Sequence, residues 1–310
     1  MATFTPITVA PKIREASGQT VGRQQSGWRA WLFLMPFLVL FLIFRVYPFI
    51  LGVWTSFTNA KIARPVDKFV GLDNYVRALA SEDVLHAFSN TARYALIVVP
   101  LTFVISLAMA LHVSRKLPGH TLSRVMFFAP YVLSVSVVAV IWEWMLQPQY
   151  GIVNWYLGMV GLPSRAAWFA DRSLVLPSIA FVTAWWTAGF SMVIFLAALQ
   201  DIPGELLEAA KIDGANVAQS FLRITFPLLR PASSLVLTLT IIDAFRVFSL
   251  MYIITQGGPT ESSTSVVLAI FREGFTYFNL GYAAAIGVLL FLVILVVTVV
   301  RALLIRSTAV

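Results

Sequence analysis

The sequence predicts an all-α integral membrane protein with six transmembrane helices. Of its 310 residues, 59% are hydrophobic and only 12% are charged, and the mean hydropathy is +0.84. Soluble domains carry about a quarter charged residues, and a soluble chain of this composition would expose large apolar patches. The apolar residues also fall in runs of about 20, the length that a helix needs to cross the hydrocarbon core. Cysteine is absent, which excludes disulfides and thiolate metal sites.

Six apolar runs follow one another along the chain. The residues before the first run are polar and lack the apolar core of a cleavable signal, so this run should be retained as a span. We therefore predict a cytoplasmic tail at 1–28 and a single transmembrane domain at 29–306. The predicted spans are residues 31–55, 92–113, 125–146, 176–199, 232–255 and 282–305.

The net charge of +8 comes largely from basic residues in tails and loops between the apolar runs. Anionic lipid and membrane topology explain this placement better than nucleic acid does, because the chain has no nucleic-acid recognition motif. Six spans put both termini on one side of the membrane. The short loop with Arg115 and Lys116 favours cytoplasmic N and C termini by the positive-inside rule, although the first outer loop is basic too.

Two loops on the outer side of this topology are long. Residues 57–90 are predicted to form a turn and then an amphipathic helix on the membrane surface. Residues 147–175 contain Trp155, Tyr156 and Trp168, aromatic residues typical of a membrane interface. The simplest role for both loops is to cap the helical bundle.

A polar stretch, residues 200–231, separates the fourth and fifth spans. Asp201 is predicted to cap a helix whose first turn contains Pro203 and Glu205, because proline and carboxylates both suit a helix N-terminus. The helix should end at Gly214, since glycine readily adopts the left-handed conformation that terminates helices.

A second short helix should follow in the same stretch. Asn216 and Gln219 have the spacing of a capping box, and the helix should end before Pro227. Three interpretations of this helical pair remain open. It could lie on the lipid surface, pack on its own bundle, or dock into a groove of another protein, and its small and apolar residues favour docking.

Polar stripes run along one face of the fourth and fifth spans and are candidates for a substrate pathway. Trp186 and Asp243 both lie near the middle of the membrane by helix length. Asp243 could instead neutralise Arg246, three residues away, and Trp186 could be ordinary packing. Tyr131, after Pro130, is a further candidate. The two stripes are Thr183, Trp186, Thr187 and Phe190, then Thr240, Asp243, Ala244 and Val247.

The segment EAAKIDGANVAQSFLRITFPLLRP resembles the EAA loop of ABC importer permeases. Glu208-Ala209-Ala210, Gly214 and Ile224-x-Phe226-Pro227 occupy the positions of that motif, with Phe226 in place of the usual Leu. Over residues 30–305 the chain resembles the carbohydrate-uptake branch, and specifically the first, maltose-, trehalose- or glycerol-3-phosphate-type permease of its unlike pair. The segments that carry this resemblance are FVGLDNY (69–75), FFAPYVLSVSVVAVIW (127–142), LQDIPGEL (199–206), DAFRVFSLMYIITQGGP (243–259) and GYAAAIGVLLFLVI (281–294).

The resemblance implies the type I ABC importer permease fold in a bacterial inner membrane. It implies a complex with a second permease subunit, a homodimeric ABC ATPase and an extracytoplasmic substrate-binding protein. Glu208 would pair with a basic residue of the ATPase, and Gly214 would form the turn between the two loop helices. The implied ATPase-coupling residues are Glu205, Glu208, Ala209, Ala210, Asp213 and Gly214.

The resemblance also implies that the two polar stripes coincide with faces that bind sugar in a maltose-type relative. The chain has no GxxxxGK[ST] stretch, so ATP and Mg²⁺ would be used by the partner ATPase. No catalytic, cofactor-binding or metal-binding residue is therefore expected on this chain. Glycerol-3-phosphate or a related polar solute is the alternative substrate. An ion channel or a proton-coupled carrier is the alternative class, but a channel needs no coupling loop.

Overall fold

A computed structural model describes residues 27–62, 68–115 and 118–307. Within these ranges the chain is mainly helical, and an isolated antiparallel bridge joins Thr58 and Phe69. Most of the predicted tail at 1–28 lies outside the described residues. The structure divides into two compact units, residues 1–51 and 52–310.

The described part of the first unit is helical from Gly27 onward. Helix α1 (Gly27–Phe41) contains Pro36, and a π-helical turn (Leu42–Val46) joins it to α2 (Tyr47–Ser56), which continues into the second unit. The wide turn lies just before Pro48, which lacks the amide hydrogen that would bond to the Phe44 carbonyl in an α-helix.

The second unit contains the remaining helices. Further π-helical turns lie at Phe221–Thr225, Met251–Thr255 and Arg272–Thr276. The helices are α3 (Asp73–Ala80), α4 (Glu82–Ser114), α5 (His120–Val132), α6 (Val135–Met145), α7 (Ile152–Met159), α8 (Val175–Gln200), α9 (Gly204–Ile212), α10 (Val217–Ser220), α11 (Phe226–Leu228), α12 (Arg230–Phe245), α13 (Val266–Phe271) and α14 (Leu280–Ser307).

Four helical runs of the described residues are long and apolar enough to cross a membrane, and two bent helix pairs raise the number to six. The all-helical membrane fold is thus as predicted, but the third and fifth spans are not straight. The four long runs are Phe33–Ser56, Glu82–Ser114, Val175–Gln200 and Leu280–Leu303. The bent pairs are His120–Val132 with Val135–Met145, at 101°, and Val217–Leu228 with Arg230–Phe245, at 68°.

The predicted third span is broken at Leu133, whose backbone is extended. Pro130 lies in the last turn of α5, and Ser134 then caps α6 by accepting a hydrogen bond from the Val137 amide at 3.5 Å. A capping serine stabilises a new helix start, so one apolar run forms two helices.

The predicted fifth span is also interrupted. α12 ends at Phe245, and the helix resumes only at Ser249. A residue just before α13 stabilises the break, because the Ser265 hydroxyl donates to the Val247 carbonyl at 2.7 Å. The helix then stops at Thr255, where the predicted fifth span ends.

The first outer loop differs from its prediction. α4 begins at Glu82 rather than at residue 92, because Ser81 accepts a hydrogen bond from the Val84 amide at 3.4 Å and caps the helix. The amphipathic helix is only α3, and it packs against α14 with Arg77 stacked 4.1 Å over the Tyr282 ring. Its surface therefore faces protein on at least one side.

The core of the second unit is centred on α4 and α8, which pack along their lengths. α5 packs across α8 at Gly189, where a Cβ atom would clash with the Phe127 carbonyl oxygen. Glycine is thus required for this close approach. The arrangement brings α4, α8 and α12 together around a cavity.

Candidate substrate cavity and coupling loop

A cavity of about 370 Å³ lies between α4, α8, α12 and the junction of α5 with α6. This volume falls in the range of small-molecule sites. All nine predicted pathway residues line it: Tyr131, Thr183, Trp186, Thr187, Phe190, Thr240, Asp243, Ala244 and Val247. The structure thus brings the two stripes and Tyr131 together, while their role in transport stays a prediction.

The α8 side of the cavity presents an indole and two hydroxyls. Trp186 donates from Nε1 to the Leu133 carbonyl at 3.2 Å, at the break in the third span. Thr183 and Thr187 each donate to the carbonyl four residues earlier, at 2.9 and 2.8 Å. These threonine oxygens keep acceptor capacity toward the cavity.

Two stacked aromatic rings form another wall. The Tyr131 and Phe190 ring centroids are 5.1 Å apart at an interplanar angle of 21°. Both side chains are partly exposed. They offer an apolar surface that could pack against the C–H face of a sugar ring.

The α12 side carries the charged groups. Thr240 donates to the Val236 carbonyl at 2.7 Å, and Asp243 lies in the last turn of the helix. The prediction that Val247 continues the same helical face is wrong, because the helix has already ended. Val247 lines the cavity from the break instead.

Asp243 and Arg246 both line the cavity and are exposed in the isolated chain. Asp243 and Arg246 do not form an ion pair with each other within 4.0 Å. The structure therefore leaves both charged groups able to face a polar solute or a partner subunit.

α4 also lines the cavity, a contribution that was not predicted from the sequence. Tyr94, Val98 and Thr102 line the cavity at intervals of four residues, which places them on one face of the helix. Tyr94 donates its hydroxyl to Thr183 Oγ1 at 2.8 Å. Thr102 is buried, and its hydroxyl has no hydrogen-bond partner within the described chain. The four-residue spacing was the signal that could have identified this stripe.

The polar stretch at 200–231 forms two short helices, as predicted, but the first of them begins later than predicted, at Gly204. Asp201 does not cap α9 but is the C-terminal cap of α8, and Pro203 precedes α9 as its N-cap residue. No side chain caps α9, because the Pro203 ring has no acceptor atom, although the Pro203 carbonyl accepts the Leu206 amide at 3.2 Å. Glu205 lies in the first turn as predicted.

α9 ends at the predicted glycine. Gly214 has φ +80°, its amide donates to the Lys211 carbonyl at 3.1 Å, and the Ala215 amide donates to the Ala210 carbonyl at 2.9 Å. This pair of bonds is the Schellman motif, which needs a left-handed residue after the helix. Asp213 immediately precedes the turn as the C-cap residue.

The second loop helix begins at the predicted capping box. The Gln219 backbone amide donates to Asn216 Oδ1, and the Asn216 backbone amide donates to Gln219 Oε1, both at 2.9 Å. The predicted end before Pro227 is wrong, because the helix continues through a π-helical turn to Leu228. A widened turn just before the proline accommodates a residue that lacks an amide hydrogen.

The loop helices expose most of their surface. Ala210 is the one buried residue of α9, whereas Ile212 and Val217 are 87% and 79% exposed on either side of Gly214. Glu208 and Ala209 are exposed as well. Apolar side chains this exposed at a turn are unusual unless a partner covers them.

Residues 102–310 match the family described as "Binding-protein-dependent transport system inner membrane component". The match spans more than half of the chain. The chain belongs to this family. It is therefore a membrane-spanning permease subunit rather than an enzyme, and the alternative of an ion channel or proton-coupled carrier is set aside.

Relatives of this permease include the trehalose/maltose transport system permease protein MalF of Thermococcus litoralis, which is 34% identical over 273 residues, covering 87% of this chain and 91% of that protein. The sn-glycerol-3-phosphate transport system permease protein UgpA of Salmonella typhimurium is 31% identical over 278 residues, covering 89% and 94%.

Solved structures resemble the permease along most of its length. One is from a bacterial ABC transporter involved in the import of the acidic polysaccharide alginate, with a TM-score of 0.78 and 25% identity over 90% of this chain and 96% of that chain. Another is from the bacterial alginate ABC transporter in complex with an alginate pentasaccharide-bound periplasmic protein, with a TM-score of 0.77 and 25% identity over 88% and 92%. The predicted importer-permease fold in a multi-pass inner-membrane protein is confirmed.

Proposed function

We propose that this permease forms half of the translocation pathway of an ATP-driven importer for a sugar or sugar-like solute. The pathway includes the cavity between α4, α8 and α12. A substrate-binding protein delivers the solute on the outer side, and a second permease supplies the other half of the pathway. Residues 29–306 act as a single transmembrane domain.

The observation that carries this proposal is the composition of the cavity. It combines a stacked aromatic wall, Tyr131 and Phe190, with threonine hydroxyls and the Asp243 carboxylate. A sugar has C–H faces that pack on aromatic rings and hydroxyls that donate to carboxylate and hydroxyl oxygens. The named sugar-transport permeases among the relatives support the same substrate class.

ATP hydrolysis is coupled through residues 203–225. The loop exposes Ile212, Val217 and the small residue Ala209 around a left-handed glycine, which suits insertion of a helix into a groove of a partner. Glu208 is the exposed carboxylate positioned to pair with a basic group there. ATP and Mg²⁺ belong to that partner, a homodimeric ABC ATPase, which lies on the cytoplasmic side together with both termini.

Glycerol-3-phosphate or a related anionic solute is the second candidate. Arg246 lines the cavity and has no carboxylate within 4.0 Å among the described residues. Relatives of this permease are named for sn-glycerol-3-phosphate transport. Asp243 lies three residues away and opposes an anion, so a neutral sugar remains the first candidate.

Reconstitution of the permease with its second permease, ATPase and binding protein tests the proposal. Maltose, trehalose, other neutral sugars and glycerol-3-phosphate are added in turn, and ATP hydrolysis and uptake into proteoliposomes are measured. We expect a neutral sugar to stimulate hydrolysis and to be imported. Stimulation by glycerol-3-phosphate alone would select the second candidate, and stimulation by none of these solutes would refute both.

A further inference from the structure

Arg301 lies in the membrane-spanning part of α14 and is bonded to α12. Its Nη2 donates to the Ser234 carbonyl at 2.5 Å and to Ser234 Oγ at 2.8 Å, and its Nη1 donates to Thr238 Oγ1. Thr238 donates in turn to the Ser234 carbonyl at 2.7 Å. Ser234 and Thr238 are four residues apart and share one face of α12. One guanidinium therefore holds two successive turns of this helix.

No carboxylate balances this guanidinium in the described ranges, where no Asp or Glu oxygen lies within 4.0 Å of it. Its Nε is buried and has no hydrogen-bond partner among the same residues. A charged residue within a transmembrane helix is costly, and an apolar residue would avoid that cost. An arginine whose only role is to set membrane topology would extend its guanidinium toward the membrane interface. Here the head group bonds to α12 instead.

α12 is the helix into which the coupling loop leads. The single residue between α11 and α12 is Leu229, which is fully buried and packs in a cluster with Phe195 and Met192. The chain bends by 68° at this point. Ser234 lies one turn into α12, so a displacement of the loop helices reaches α12 first at the level where Arg301 is bonded.

We propose that Arg301 is a positioning residue that makes α12 and α14 move as one body when the coupling helices are displaced. The inference rests on the proposed function, because it assumes that the loop transmits ATP-driven motion. Arg301 does not line the cavity and lies outside the loop. Without its bonds α12 would move alone, and fewer solute molecules would cross for each ATP hydrolysed.

The first test substitutes Arg301→Met in the complete reconstituted complex. Radiolabelled maltose, trehalose and glycerol-3-phosphate serve as uptake probes, and ATP hydrolysis is measured in parallel. We expect the complex to assemble and to hydrolyse ATP, while solute imported per ATP falls about two- to thirtyfold, the range of mutations along a coupling network. Arg301→Lys should restore only part of the loss, because an ammonium lacks the planar fork.

Two further variants make this test specific. Combined Ser234→Ala and Thr238→Val removes both hydroxyl acceptors but leaves the Ser234 carbonyl bonded to Arg301. We therefore expect a smaller loss than that of Arg301→Met, and no further loss when the three changes are combined, because all of them weaken one network. Val299→Met, at an exposed site on the same helix, is the matched control and should leave the ratio unchanged.

The second test measures whether the two helices move together and needs no substrate. The chain has no cysteine, so spin labels can be placed at Leu235→Cys on α12 and Leu303→Cys on α14, both exposed, in a complex with cysteine-free partners. We expect the label-to-label distance to be the same in nucleotide-free and ATP-bound complexes. With Arg301→Met the distance should change or its distribution should broaden.

The outcomes separate the two proposals. If the wild-type complex imports a probe but Arg301→Met keeps its import-to-hydrolysis ratio, the positioning role is wrong. A distance that changes on ATP binding in the wild type would overturn it equally. If no probe is imported, the proposed function fails, and the spin-label distances still decide whether Arg301 joins the helices.

Discussion

Tyr94 on α4 donates its hydroxyl to Thr183 Oγ1 on α8 at 2.8 Å, at the edge of the cavity. The Thr183 hydroxyl in turn donates a hydrogen bond to the Ile179 carbonyl at 2.9 Å. The bond joins the two helices that form the core of the unit, and it links a residue that the sequence analysis missed to one that it predicted. The Tyr94 side chain is fully buried, so its hydroxyl depends on this partner.

This hydrogen bond predicts that substituting Thr183 lowers the unfolding free energy more than substituting Tyr94 does. Tyr94→Phe removes the buried hydroxyl and leaves Thr183 bonded to its own helix, so we expect a loss of about 1 kcal/mol in unfolding free energy. Thr183→Val strands the Tyr94 hydroxyl in the core, and we expect a loss of about 1–3 kcal/mol. Unfolding in detergent measures both, and a larger loss for Tyr94→Phe would contradict the assignment.

Two threonines of α4 should respond oppositely to the same substitution. Thr102 has no hydrogen-bond partner within the described chain, so Thr102→Val should be neutral or stabilising by up to about 1 kcal/mol. Thr91, equally buried, accepts from the Val266 amide at 3.0 Å, so Thr91→Val strands that amide and should cost about 1–3 kcal/mol. Equal losses in the same unfolding measurement would show that Thr102 is bonded.

Gly214 should be sensitive to alanine for a backbone reason alone. Its φ is +80° and a Cβ there would meet no atom within 4 Å, so Gly214→Ala should cost about 1 kcal/mol in local stability. Gly204→Ala is the control, because that site is also open and begins α9 without positive φ. Proteolysis of the loop should accelerate in the first variant only.

Charge reversal in the coupling loop should separate hydrolysis from transport. Glu208→Lys places a positive charge where we expect a basic partner group, so solute-dependent stimulation of ATP hydrolysis should fall at least about tenfold, as for loss of a charged hydrogen bond. Asp201→Lys, also exposed but outside the proposed contact, should have little effect. Full transport by Glu208→Lys would exclude the docking role.

Cavity substitutions should affect uptake and spare basal hydrolysis. Trp186→Ala removes an indole that lines the cavity and holds the Leu133 carbonyl, and Asp243→Ala removes its carboxylate. Each should reduce uptake about three- to tenfold, the effect of losing one polar or stacking contact. Basal ATP hydrolysis by the assembled complex is the control. Unchanged uptake in both variants would place the pathway elsewhere.

Local signals in the sequence were sufficient for much of the fold and the candidate site. Apolar run length predicted the spans, and helical periodicity predicted two cavity-lining faces, because both follow from one helix and its surroundings. Asn216, Gln219 and Gly214 predicted the second loop helix and the turn before it, because capping depends on residues a few positions apart.

What only the tertiary structure decided involves partners far apart in the sequence. Ser265 holds the break at Val247, and Arg301 is bonded to Ser234, across 67 positions. Neither bond can be predicted from a local sequence pattern, because the packing of the helices decides which polar groups lie within hydrogen-bond distance. The sequence by itself determined which segments are helical and apolar. The tertiary structure determined where two spans bend and which side chains face one cavity, since Ser265 and Arg301 bond to groups on other helical elements that only packing brings within reach.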